Sequence, residues 1–183
     1  PSYLYGGDNL GFDANKDIEG FTASCFDDFG FTPAVVYENK VWGEQYERPI
    51  PFHRTGKNTF AKEIRYNGIS YIASLPYSMN LFPTIEVVAK GGEKIDIRTD
   101  HYNTPGGPTG ELQTYNGHRI EYICKPGFNR FESILYLFGS KIIVTCETPV
   151  KIESIGYRET GYHTEITGDF HCESDLINRL VSK

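Results

Sequence analysis

From about residue 58 onward the apolar positions of this chain recur at every second residue, the period of a strand with one face buried. The runs "FAKEIRY" (60–66), "SYIAS" (70–74), "TIEVVAK" (84–90) and "KIDIRTD" (94–100) show it first. "RIEYICK" (119–125), "FESILYLFG" (131–139), "KIIVTCE" (141–147) and "VKIESIGYRE" (150–159) continue it. All are rich in β-branched and aromatic residues, the side chains that suit a pleated, half-buried surface. Turn dipeptides separate several of them: Asn67-Gly68, Asn116-Gly117, Gly91-Gly92 and the "PG" and "PGG" steps. About eight short strands at this spacing predict an all-β fold, an antiparallel β-sandwich of jelly-roll type. The longest loop expected is residues 100–118, "DHYNTPGGPTGELQTYNGH", whose glycines and prolines suit an exposed and functional connection.

The two ends follow other patterns. Residues 1–55 read as an irregular strap or the end of a preceding domain, with aromatics, Asp pairs and glycines interrupting short apolar runs. Pro49 and Pro51 in "YERPIPFHR" enforce extended geometry on their neighbours. Residues 56–170 then form the β-sandwich. Residues 171–183 start a helix: Ser174 and Asp175 supply an N-cap and first turn, and Leu176, Ile177, Leu180 and Val181 share one face. A short amphipathic helix is marginal without a surface for its stripe. The helix is therefore expected to belong to a further domain, and the chain to be a piece of a longer protein.

Composition narrows the function classes. The 183 residues, 39% hydrophobic and 14% aromatic, can bury one good core. A net charge of −6 gives no electrostatic footprint for nucleic acid or an anionic membrane. No apolar run approaches the ~18 residues of a membrane span, and no signal-peptide h-region opens the chain. Cys25, Cys124, Cys146 and Cys172 form no C-x-x-C pair, so a zinc site is not expected, and both buried free thiols and a disulfide stay open. The five histidines make no H-E-x-x-H or H-x-H pattern, and no nucleophile elbow, phosphate loop or dinucleotide fingerprint occurs. No metal or cofactor is expected.

Two kinds of side chain remain as candidates for chemistry. Glu93, Asp96 and Asp100 lie around one predicted strand, and Asp27 and Asp28 sit in a turn, positions from which a glycosidase acid pair could be built. Acidic residues at strand ends are more often plainly solvated. Aromatics offer a sugar-stacking surface: Trp42, the only tryptophan, with Tyr46 nearby, and Tyr102 and Tyr115 in the long loop.

The segment "GDFHCESDLINRL" resembles the junction in bacterial α-L-rhamnosidases (glycoside hydrolase family 78) and related six-hairpin glycosidases, where a β-sandwich hands over to an (α/α)6 catalytic barrel. Gly168, Phe170, Cys172, Ser174, Leu176, Ile177, Asn178 and Leu180 carry the match. "YERPIP" is similar to the strap that precedes this sandwich, and "GGEKIDIRTDHY" and "RIEYICKPGFNRFESILYLFGSKIIV" resemble its strands, so the resemblance covers about residues 42–183. It implies a non-catalytic module whose partners are its own catalytic barrel and a rhamnose-containing glycan. The parent would hydrolyse terminal α-L-rhamnosides with inversion through an acidic pair in the barrel. The family's Asp-x-x-x-Arg segment is absent, so no catalytic residue is carried over. A periplasmic or extracellular site in a glycan-degrading bacterium goes with that family. The alternative is a free-standing carbohydrate-binding or adhesion module acting through the long loop.

Overall fold

The computed structural model describes residues 10–37, 43–44, 46–102, 119–162, 168 and 170–181. The alternating runs become strands, as their period requires. In chain order these are β1 (Leu10–Asp13), β2 (His53–Thr55), β3 (Thr59–Phe60), β4 (Ile64–Tyr66) and β5 (Ser70–Ala89). They continue with β6 (Lys94–Thr99), β7 (Ile120–Ile123), β8 (Gly127–Glu132), β9 (Leu137–Cys146) and β10 (Lys151–Tyr162), before a single helix, α1 (Asp175–Val181). The all-β class holds. The strands join in one curled sheet, a half-barrel, in the order β1-β7-β6-β9-β5-β10-β2, with β3 also on β10 and both β4 and β8 on β5. Pairing is antiparallel except between β1 and β7, which run parallel.

One strand makes the curl possible. The runs 70–74 and 84–90 read as separate, but β5 is continuous over 20 residues and passes through two prolines. Both fall where a backbone N–H is dispensable. Pro76 lies in the irregularity where pairing with β9 jumps from Ser74 to Met79. Pro83 lies at the handover from β9, which pairs as far as Leu81, to β8, which begins at Thr84. The run 131–139 is divided the other way, between the end of β8 and the start of β9. Ser133 turns the chain there, its hydroxyl donating to the Leu135 carbonyl and accepting from the Leu135 amide at 2.8 and 2.9 Å.

Five strands supply most of the core. Leu81, Ile85 and Val87 of β5, Ile95 and Ile97 of β6, Ile120 of β7, Leu137, Ile142 and Val144 of β9 and Ile155 of β10 are all fully buried there. Each such side chain contributes about 1.5–3 kcal/mol by leaving water. The stretch expected to be an irregular strap contributes to this core as well. Phe12 of β1 stacks on Tyr122, and Ala14, which opens the 3₁₀ turn after β1, is buried, so residues 10–13 belong to the sheet and Ala14 to the core. A four-residue strand paired in parallel with a partner more than a hundred residues away leaves no local signal.

Turn chemistry follows the sequence reading where it can be checked. Asn67 closes the β4-β5 hairpin, its side-chain oxygen accepting from the amides of Ile69 and Ser70, with Gly68 at φ 94°. Asn116-Gly117 lies outside the described residues. The expected helix forms, and Asn178 anchors it: its side chain accepts from the Cys172 amide at 2.8 Å and donates to the Cys172 carbonyl at 2.7 Å, clasping the incoming chain. Its apolar stripe stays open. Leu176, Ile177, Leu180 and Val181 are all exposed, and no residue of the helix is buried. The four cysteines are free thiols; burial pushes both Cys124 and Cys146 up to about 11.

Candidate functional site

The acidic residues near β6 do not form a reacting pair. Glu93 caps the turn after β5, accepting from the amides of Lys90 and Gly91, both at 2.7 Å, and these bonds hold its carboxyl below the ordinary range. Asp96 lies in the fork of Arg98 and contacts Arg119 at 3.3 Å. Burial pushes the Asp100 carboxyl up. The Ser140 hydroxyl and the amides of Ser140 and Lys141 outweigh that effect and leave it below its usual value. A general acid needs a raised pKa, and the surroundings of Glu93 and Asp100 work in the opposite direction. Asp27 receives the Phe29 amide at 3.0 Å, an Asx-type turn in which the Asp28 carbonyl also accepts from Phe31. Glu93, Asp100 and Asp27 thus tie down backbone amides, while Asp96 holds two arginines.

The aromatic candidates separate in a different way. Trp42 and Tyr115 lie outside the described residues. Tyr102 ends a short 3₁₀ turn at 100–102 that follows β6. Tyr46 is exposed, with its hydroxyl on Glu44 at 3.0 Å, and it makes no ring contact with a described aromatic residue.

The fold assembles an aromatic face that the sequence reading did not find. β2 pairs with β10 so that His53 stands opposite Tyr162, with their rings perpendicular at 4.2 Å. Tyr136 approaches His53 at 6.3 Å and Phe82 at 6.4 Å. The chain leading into β2 carries Arg48, whose guanidinium lies 5.4 Å from the Phe52 ring centre and donates to the Tyr162 hydroxyl at 3.4 Å. Beside this face Tyr77 donates to Glu159 at 2.8 Å, a bond that raises the Tyr77 phenol, and Arg54 approaches the same carboxylate at 4.0 Å. Phe52, Tyr136 and Tyr162 are all exposed. Rings with polar tips beside a cation and a carboxylate can stack on a sugar face and bond its hydroxyls. These residues come from four separate stretches of chain, so only the strand register could reveal them. Among the described residues no three His, Cys, Asp or Glu side chains converge to hold a metal ion.

A similar fold is found inside a much larger protein. The structure of the α-L-rhamnosidase from Dictyoglumus thermophilum contains a similar fold, with 92% of this chain matching 20% of that one at a TM-score of 0.66 and 21% identity. The GH78 family rhamnosidase of Bacillus sp. GL1 also matches, over 72% of this chain and 13% of that one, at a TM-score of 0.45 and 20% identity. The chain thus spans about a fifth of the Dictyoglumus enzyme. No protein-family model and no curated protein sequence matches it.

Proposed function

We propose that this chain is a non-catalytic β module of an α-L-rhamnosidase-like glycoside hydrolase, which supports the catalytic barrel and contacts glycan through its aromatic face. The observation that carries the reading is the fold shared over 92% of this chain with one fifth of a rhamnosidase. Two features of the chain support it. The acidic residues that could have served as an acid pair are committed to backbone amides and arginines, which suits a module without chemistry of its own. The open apolar stripe of α1 suits a helix that packs into a larger helical body. In the whole enzyme an acidic pair outside this module would hydrolyse terminal α-L-rhamnosides with inversion. The glycan contact is assigned to Tyr136, Tyr162 and Arg48, exposed groups that the fold itself has no need to display.

The helix stripe provides the test. The double substitution Leu176→Asp and Leu180→Asp is expected to change the unfolding free energy of this chain by no more than about 0.5 kcal/mol, because neither side chain is buried. In a polypeptide that also carries the catalytic barrel, the same pair is expected to cost about 2 kcal/mol or more, from two carboxylates forced into an apolar contact. Urea unfolding of both proteins reads the difference. Equal indifference in both would remove the barrel as the helix's partner.

A further inference from the structure

Among the described residues the half-barrel has an open seam, occupied by a cavity. Its two borders are β1 and β8. Among the described residues β1 pairs only with β7 and β8 only with β5, so each has one edge of its backbone without a ladder partner. Between them lies a cavity of about 430 Å³, lined by Leu10 and Phe12 from one border and by Phe128 and Arg130 from the other. Its floor is an aromatic cluster: Phe12 stacks on Tyr122 at 5.9 Å, Tyr122 meets Phe131 at 4.7 Å, and Phe131 meets Phe12 at 5.5 Å. This stack joins the two borders through side chains, where a closed barrel would join them through main-chain bonds. Asp17 and Glu132, with Lys125 and Arg130, give the lining two charges of each sign.

We propose that this seam binds an extended peptide by strand addition, with a partner polypeptide supplying main-chain hydrogen bonds to one or both borders and apolar side chains to the aromatic floor. Unpaired strand edges call for a backbone partner, which an extended peptide supplies and a sugar does not. The borders are four and six residues long, about 13 and 20 Å of edge, enough to register a short strand. Alternate side chains would point into the cavity, so the partner should carry an aliphatic residue at every second position. The paired charges favour a segment with no strong net charge of its own. The inference is independent of the rhamnosidase reading, because it rests on the strand edges and the cavity alone.

The test uses the whole chain and a fluorescent heptapeptide, Lys-Val-Thr-Val-Thr-Val-Glu, blocked at both ends. A second peptide with the same side chains carries N-methyl groups on alternate residues, which removes main-chain donors. Fluorescence polarisation is expected to show saturable binding of the first and at least tenfold weaker binding of the second. Phe128→Glu, at an exposed border position, is expected to weaken binding at least tenfold. Saturating peptide is also expected to slow amide exchange in residues 10–13 or 127–132 at least tenfold. The proposal is overturned by no binding up to millimolar peptide, by equal binding of the methylated peptide, or by protection confined to other strands. It is equally overturned if the seam instead takes a saccharide, or a second copy of the chain seen as a concentration-dependent dimer that Phe128→Glu abolishes.

Discussion

Asn129→Leu is expected to destabilise the chain by about 4 kcal/mol, the largest loss among single polar substitutions in it. Asn129 is essentially inaccessible to solvent and uses its whole hydrogen-bonding capacity. Its side-chain oxygen accepts from the Tyr122 hydroxyl at 3.0 Å and the Lys125 amide at 2.9 Å. Its amide group donates to the carbonyls of Lys125 at 2.8 Å and Gly127 at 2.9 Å. One side chain therefore closes the turn between β7 and β8 and satisfies a buried phenol, whose pKa burial pushes up to about 12. Leucine fills similar space and supplies none of these bonds, leaving the phenol and three backbone groups without their partner, at about 1 kcal/mol or more each. Tyr122→Phe removes one bond only and should cost about 1 kcal/mol. The double variant should cost less than the sum, because the phenol orphaned by the first change is absent in the second. Urea unfolding of the three variants checks this; a loss below about 1 kcal/mol for Asn129→Leu would mean that the turn closes without it.

The second large effect is at Gly139, inside β9. A Cβ at this position would lie 2.6 Å from Thr99 Cβ and 2.6 Å from Asp100 Oδ1. Neither neighbour can yield. Thr99 is fully buried and donates to the Phe138 carbonyl, while Asp100 is fixed by the amides of Ser140 and Lys141. Gly139→Val is expected to cost about 3 kcal/mol or to prevent folding, since a β-branched side chain must displace buried backbone connections. Gly161→Ala is the control. It lies in β10 with open space around its Cβ position and should change stability by less than about 0.5 kcal/mol. If both substitutions cost the same, the close approach of β9 to the end of β6 is not what requires glycine at 139.

The parts of the fold that sequence could reveal are those decided by neighbours in the chain. The alternation in "KIDIRT" places Ile95 and Ile97 in the core and Asp96 and Arg98 outside, as a period of two requires. The Asn67-Gly68 turn and the start of α1 are likewise local. What could not be read depends on distant partners. β5 looked like two strands because two prolines interrupt it, and only the positions of β8 and β9 show that those prolines cost no ladder bond. β1 needs β7 to become a strand at all.

The candidate site divides along the same line. The acidic residues were visible but their role was not, because the bonds made by Asp100 depend on where β9 passes. Of the four aromatic residues chosen from sequence, Tyr46 stands apart from the described rings, Tyr102 ends a short turn, and Trp42 and Tyr115 lie outside the described residues. The face that does form joins His53, Tyr136 and Tyr162, residues far apart in the chain, none of which stood out by spacing.

The reading proposed above makes this chain a rhamnosidase-like module without the chemistry. Hydrolysis of p-nitrophenyl α-L-rhamnoside tests it most directly, with this chain and a polypeptide that also contains the catalytic barrel assayed side by side. The account predicts release of p-nitrophenol by the longer protein and none above buffer by this chain. Turnover by this chain alone would contradict it, and Glu93, Asp96 and Asp100 would then be the first residues to replace.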